Sequence, residues 1–396
     1  MVYGKVAARV LVGTVALSSS AAAQETRKLD LGFQAQVEHH SNVARANKSA
    51  AALRGLTRAD TIFTPSFTVD FLAPVGRQSI FLRGAAGYSF YDKNDRLDRE
   101  RFDITGGANG RLGPCTAVLT GGYTRGISQA GDPALIENVN NIQETQSIGL
   151  DVGCIREPGF GIVAAVSQDW TNNDLATLES SDSEQASAMV GVTYGRPALG
   201  TLTVFGNHQQ TDYPKRIISP GYDLNSFGVT FERQFGARIQ GSVTGAFATI
   251  DQRGVGGFGG DGDSETSTYS AALSFRASSR LRFEGLFDRS VTPSSAGGRS
   301  YDLTETNRVT GVYDVGSRIT ITAGAGRVNR DSRGVIFTPA IQLVESRTTN
   351  VFASLRYKQS ERLSFILDAG REKRTTNAPQ FDYTDDWIGL RADASF

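Results

Sequence analysis

Two cysteines, two tryptophans, three histidines and 11 prolines are a small stock for a chain of 396 residues. Each shortage removes a class of protein. With so few cysteines the chain is no disulfide-stapled scaffold. His39, His40 and His208 have no further ligands at matched spacing, so neither a metal site nor a cofactor site is expected. Sparse proline argues against a Pro-rich linker protein. The 41 basic and 41 acidic residues cancel, which gives no electrostatic case for nucleic acid as a partner. Beyond the N-terminal segment no run of 18 apolar residues occurs, so helical membrane spans are excluded. No nucleophile motif stands out either, and the chain is not expected to be an enzyme.

What is present is alternation. Phe63, Phe67, Val69 and Phe71 interleave with Thr64, Ser66, Thr68 and Asp70; Ile148, Leu150 and Val152 interleave with Ser147, Gly149 and Asp151. Val351-Ala353-Leu355-Tyr357 and Leu363-Phe365-Leu367-Ala369 repeat the pattern. A period of two places apolar side chains on one face of a strand and polar ones on the other. Segments of about ten residues, bounded by turn residues, are the signature of a transmembrane β-barrel. The 44 glycines suit many strands joined by tight turns.

The connections alternate in length. Short ones fall at Pro74-Val75-Gly76-Arg77, Leu112-Gly113-Pro114 and Glu157-Pro158-Gly159, and at five later places; nine long ones begin at 42–59 and end at 373–382. Nine long and eight short connections imply about 18 antiparallel strands, up and down, with short periplasmic turns and long external loops. Sixteen strands is the alternative count, because segments 184–196 and 301–313 alternate weakly. One external loop, Gly256-Gly257-Phe258-Gly259-Gly260-Asp261, matches a single copy of a calcium-binding nonapeptide that works only in stacked repeats, so it reads as a flexible loop.

The two ends agree with export to a membrane. Lys5 and Arg9 precede an apolar stretch from Val10 to Leu17 and then Ala21-Ala22-Ala23, the layout of a cleaved secretory signal peptide over 1–23. Residues 24–396 then form a single barrel domain. The last residues, Asp386 to Phe396, alternate up to the terminus. They resemble the C-terminal strand of Gram-negative outer-membrane barrels, where a terminal Phe belongs to the assembly signal. That likeness implies the outer-membrane lipid and the barrel-assembly machinery as partners and Phe396 as the signal residue.

Several side chains acquire positions from this pattern. Tyr88, Phe90, Tyr123, Trp170, Phe247, Tyr269 and Phe287 fall near the long-loop ends of the lipid face. Tyr194, Phe231, Phe275, Tyr313, Tyr357 and Phe396 fall near the short-turn ends, so two aromatic girdles are expected. Cys115 opens one strand and Cys154 closes the next, on the same face and at the same end, so a cross-strand disulfide in the oxidising periplasm is expected; two unpaired thiols on the apolar face, as a one-residue register slip would leave them, are the alternative. The lumen-facing candidates are Asp70, Arg83, Asp103, Asp151, Arg282, Glu284, Asp288, Arg308, Arg318, Arg356, Asp368, Arg391 and Asp393. Acids concentrate in the first half and bases in the second. A transverse field across a pore is one reading; a wall of mutually paired charges is the other.

Ser41-Asn42-Val43, Thr64-Pro65-Ser66-Phe67, Tyr91-Asp92-Lys93-Asn94-Asp95 and the terminal Phe396 together resemble the β-barrel porin 2 family of outer-membrane proteins. Some members are similar to proteins encoded with exopolysaccharide synthesis and export systems. The resemblance therefore implies passage of a polysaccharide, with periplasmic export components as partners, and it assigns no catalytic residue. The expected function is a porin-like conduit for saccharides or exopolysaccharide, with Phe81, Phe205 and Phe352 as stacking surfaces. The alternatives are an adhesive barrel with a plugged lumen and an outer-membrane hydrolase.

Overall fold

The computed structural model describes residues 27–127, 141–155, 158–176, 178–216, 219–254, 264–294, 299–334 and 345–396. The expected signal peptide and the glycine-rich segment 256–261 lie outside the described residues.

The chain is one antiparallel sheet of 18 strands closed on itself. The first six are β1 (Lys28–His40), β2 (Asp60–Val75), β3 (Gln78–Tyr91), β4 (Arg99–Leu112), β5 (Cys115–Ile127) and β6 (Ile142–Ile155). Then come β7 (Gly159–Asn173), β8 (Ser183–Arg196), β9 (Gly200–Asp212), β10 (Gly221–Phe235), β11 (Ile239–Arg253) and β12 (Ser264–Arg276). The last are β13 (Leu281–Pro293), β14 (Tyr301–Asp314), β15 (Ile319–Arg333), β16 (Glu345–Lys358), β17 (Leu363–Thr376) and β18 (Tyr383–Ser395). Each pairs with its sequence neighbours, and β18 pairs with β1 from Gly32↔Ser395 to His40↔Trp387. The two weakly alternating segments are β8 and β14, so the count is 18 and not 16.

Strands of 13 to 16 residues exceed the ten or so that the pattern suggests. The excess lies at the long-loop end. There β15 runs on through Arg327-Val328-Asn329-Arg330-Asp331, where polar side chains stand on both faces and Val328 alone is apolar, so the period-two signal stops while the hydrogen-bond ladder continues. At the other end the turns are tight. Gly76 (φ +65°) and Gly113 (φ +59°) take left-handed conformations that a side chain would strain.

One face of the sheet carries large apolar side chains left open to the surroundings. Phe247 is 81% exposed and Phe67 69%; Val190, Val243, Ile388 and Leu390 lie on the same face. A continuous apolar band around a closed sheet needs lipid. The fold is an integral outer-membrane barrel. Tyr88, Phe90 and Phe63 cluster near the long-loop end of this face, with Tyr88 and Phe90 ring centroids 4.6 Å apart. Phe160 and Tyr194 (4.8 Å) do so near the short-turn end. Phe396 ends the outward row of β18, 77% exposed, and its backbone N–H donates to Leu31 O at 2.8 Å.

Cys115 and Cys154 stand directly opposite each other in the β5–β6 ladder and are joined by a disulfide at the short-turn rim. Replacing both with Ser is expected to lower the unfolding free energy by about 2–4 kcal/mol, since the bridge closes a long loop in the unfolded chain. Urea titration of the detergent-folded protein checks this. Equal midpoints with and without reductant would show that the barrel ladder alone restrains this hairpin.

Candidate functional site: the barrel lumen

The inner face is polar. Asp70, Arg83, Asp103, Asp151, Arg282, Glu284, Asp288, Arg308, Arg356, Asp368, Arg391 and Asp393 all sit at strand positions opposite in parity to the apolar band. Arg318 sits one residue before β15, in the turn at the periplasmic rim, where its carbonyl accepts from Lys358 N–H at 2.7 Å.

Several of these charges find partners on the same strand or on a strand close by. Lys28 Nζ bridges Asp30 (2.8 Å) and Asp70 (2.7 Å), and Arg83 Nε reaches the same Asp70 at 3.3 Å. On β18 Arg391 lies 3.2 Å from Asp393, Arg356 approaches the same carboxylate from β16 at 4.0 Å, and Gln34 Nε2 donates to it across the closing seam at 2.8 Å. Arg282 and Glu284 are 3.8 Å apart. A division of acids and bases between chain halves is therefore too simple. Opposite charges a few ångströms apart on the wall neutralise each other, whether they share a strand or stand on nearby ones.

The periplasmic end holds a cavity of about 830 Å³. Asp30 and Asp70 line it on β1 and β2; Arg318, Arg356, Lys358 and Arg362 line it from β16 and the short turns.

Four aromatic rings on the inner face each stand directly opposite a glycine. The pairs are Phe81↔Gly107, Phe205↔Gly228, Phe352↔Gly324 and Trp387↔Gly370. A Cβ added to the glycine would come within 3 Å of the ring in every case: 2.8 Å at Gly107, 2.7 Å at Gly228 and Gly324, and 2.6 Å at Gly370. The missing side chain lets the ring lie across the neighbouring strand instead of projecting into the bore. The guanidinium of Arg308 sits 5.5 Å from the Phe352 ring centroid.

The external mouth is narrowed from two sides. The β12–β13 ladder ends at Tyr269↔Arg289, whereas β13–β14 pairing continues to Pro293↔Tyr301. The freed upper part of that hairpin folds inside the wall. Val291, Tyr301 and Leu303 are buried with Tyr222, Leu224, Ala248 and Ile250 from the inner face of β10 and β11. Ser300 Oγ donates to Gln252 Oε1 at 3.0 Å, and Tyr301 and Ser264 hydroxyls meet at 2.8 Å. The β9–β10 loop fastens the tuck. Tyr213 donates its hydroxyl to Ser300 O (2.8 Å) and accepts from Ser294 N–H (2.7 Å). Burial pushes the Tyr213 hydroxyl well above its ordinary pKa, so it remains a donor. Arg216 stacks on Tyr213, with Cζ 3.6 Å from the ring centroid, and donates to the carbonyls of Ser180, Ser294 (2.7 Å) and Arg299 (2.6 Å).

The other side is the β1–β2 loop with its single helical turn and a half, α1 (Lys48–Leu53), capped by Asn47 Oδ1 accepting from Ala50 N–H. Two of the family-like motifs act here. Asn42, fully buried, donates to Ala46 O and Thr384 O and gives its backbone N–H to Asp385. Asn94 donates to Thr57 O and Asp60 and accepts from Thr57 N–H. They are rim fasteners, not ligand contacts. Of the histidine pair, His40 points inward to Asp385 (2.7 Å), while His39 meets Thr61 (3.1 Å) on the opposite face. Tyr213, Arg216, Lys28 and Trp387 carry no local signature in the sequence, because their partners lie on distant strands.

No family model matches the chain, and no curated protein does. Among solved structures the chain is similar to OccK2 (OpdF) of Pseudomonas aeruginosa, at 12% identity and TM-score 0.49 over 93% of this chain and 97% of that one. A BenF-like porin from Pseudomonas fluorescens Pf-5 shares 10% identity, TM-score 0.49, over 94% and 99%. A bacterial polysaccharide outer-membrane secretin aligns more distantly, at 8% identity and TM-score 0.35 over 92% and 98%.

Gly324→Val is expected to force Phe352 off the wall and cut single-channel conductance. Adding Phe352→Ala should restore conductance, since the two side chains compete for one volume. Independent effects in this double-mutant cycle would refute the coupling.

Proposed function

We propose that the chain is a passive outer-membrane conduit for saccharides. The observation that carries this reading is the set of partly exposed rings, Phe81, Phe205 and Phe352, laid over glycines along a wall of hydroxyl, amide and paired charged groups. Sugar rings present apolar C–H faces and hydroxyl edges. Rings held against the wall offer stacking surfaces to the first, and Ser, Thr, Asn and Gln side chains serve the second. The tucked hairpin and the β9–β10 loop form the external constriction, and local charge pairing keeps the bore from trapping ions of one sign. The absence of any nucleophile motif in the sequence favours a pore over a hydrolase.

The likeness to the β-barrel porin 2 family extends the proposal to exopolysaccharide, handed over by periplasmic export components. Phe396 is proposed to serve the barrel-assembly machinery, because it ends the closing strand and extends its ladder to Leu31.

Planar-bilayer recording of the refolded protein should show single-channel steps that oligosaccharides block. Phe205→Ala should weaken blocking about three- to tenfold, the scale of one lost stacking contact. A silent bilayer would favour the plugged, adhesive reading. Trapping of polysaccharide in the periplasm of a deletion strain supports export, and normal secretion ends that part of the proposal. Arg216→Ala, which leaves three loop carbonyls without their charged donor, should give noisier and larger openings in the same recordings. Unchanged traces would remove the loop from the constriction.

A further inference from the structure

Outward-facing bases near the external rim mostly stand beside carboxylates. Arg125 lies between Glu144 and Glu100 (3.0 Å). Arg253 lies between Asp212 (2.6 Å) and Asp223 (3.6 Å), and Arg371 pairs with Asp386 at 2.6 Å. One place differs. On β15, β16 and β17 the outward faces bring Arg327, Arg347 and Lys373 together, all exposed. Arg327 and Lys373 flank Thr349 from either side in the ladder, which sets their backbones about 10 Å apart at the usual strand spacing. Arg327 Nε (2.9 Å) and Arg347 Nε (3.3 Å) both donate to the neutral Asn329 Oδ1. Among the described residues none of the three has a carboxylate partner. The neighbouring acids are engaged by other bases: Glu305, which accepts from Asn329 Nδ2 at 3.3 Å, lies 3.8 Å from Arg289, Asp386 is held by Arg371 at 2.6 Å, and Asp331, facing Glu345 one pair further from the membrane, is held by Arg333 at 2.7 Å.

The depth of this group is informative. Directly beneath it on the same face lie Ala325, Val351 and Arg371, the last held by Asp386, then Ala323, Ala353 and Ala369, then Ile321, Leu355 and Leu367, down to Tyr357 at the periplasmic girdle. Tyr357 to Thr349 is eight strand steps, about 27 Å along a strand and roughly 20 Å in height at the usual tilt, close to the height of a barrel's apolar band. The three cations therefore sit at the boundary where the headgroups of the outer leaflet begin.

We propose that Arg327, Arg347 and Lys373 form a binding site for the phosphate groups of a phosphorylated lipid in the outer leaflet. Charge complementarity and depth choose the occupant. Guanidinium groups pair with phosphate through two parallel hydrogen bonds, an ammonium adds a point charge, and acyl chains below would lie on the apolar faces of β15 to β17. Asn329 holds the two guanidinium groups near each other without neutralising either. The site is independent of what passes through the lumen.

The test uses the full chain in neutral detergent, with bis-phosphorylated lipid A, its dephosphorylated form with the same acyl chains, and inorganic phosphate as probes, read by native mass spectrometry. The variants are R327Q/R347Q/K373Q together, the single K373Q and, as a rim control, R125Q; heat-modifiability reports folding. The triple variant should lose roughly 100-fold in retention of the bis-phosphorylated lipid, the scale of three basic residues at an anionic surface. K373Q should lose roughly fivefold and R125Q nothing, and K373Q decides the matter if the triple variant does not fold. Equal retention by wild type and variants overturns the site. Equal binding of the dephosphorylated lipid does so too, because acyl packing alone would then explain retention. Displacement by equimolar inorganic phosphate would reassign the cluster to soluble anions and overturn the lipid assignment.

Discussion

A backbone amide left unpaired in hydrocarbon costs several kcal/mol, and a sheet in lipid escapes that cost only by closing. The β18–β1 ladder is where this chain meets the requirement. Its register runs from Gly32↔Ser395 to His40↔Trp387, and Phe396 adds a hydrogen bond to Leu31. With the ring closed, every strand has one face to lipid and one to the bore. The rest of the molecule follows from that division: the apolar band, the polar wall, the girdles and the placing of each charge.

Within the ring the lumen is shaped by small residues as much as by large ones. Glycines opposite Phe81, Phe205, Phe352 and Trp387 allow bulky rings to lie along the wall. At the mouth the wall itself departs from the barrel. The β12–β13 ladder stops early, and the freed hairpin fills the opening with a small hydrophobic core of its own around Tyr213, Tyr222 and Ile250. The bore is therefore wide and polar at the periplasmic end, where charged side chains meet water, and constricted by packed loops at the other.

Alternation in β2, β6, β16 and β17 made their lipid faces readable, because one buried-versus-wet decision is repeated at every second residue. The parity of Asp70 or Arg391 follows from the same rule. The charge pairing was legible only in part: Arg391 and Asp393 stand two residues apart on β18, whereas Arg356 reaches Asp393 from β16, and Lys28 meets Asp70 only after β1 has paired with β2. Strand length was underestimated for a related reason: above the lipid polar side chains stand on both faces of β15, and period two carries no signal where neither face is mainly apolar. The Asn42 and Asn94 motifs, conspicuous in the sequence, fasten loops at the rim.

Sequence alone determined the class of solvent, the approximate number of strands, the face of most strand residues and the placing of Cys115 and Cys154 on one face at one end, because these depend on local periodicity and on neighbours one hairpin away. Tertiary structure alone decided the bond between those cysteines, the tuck of the β13–β14 hairpin, the hold of Arg216 on the β7–β8 and β13–β14 loops, and the carboxylate-free cluster of Arg327, Arg347 and Lys373. Those depend on which distant strands become neighbours and on where a ladder stops. No local pattern encodes that, because it is set by closing the ring as a whole.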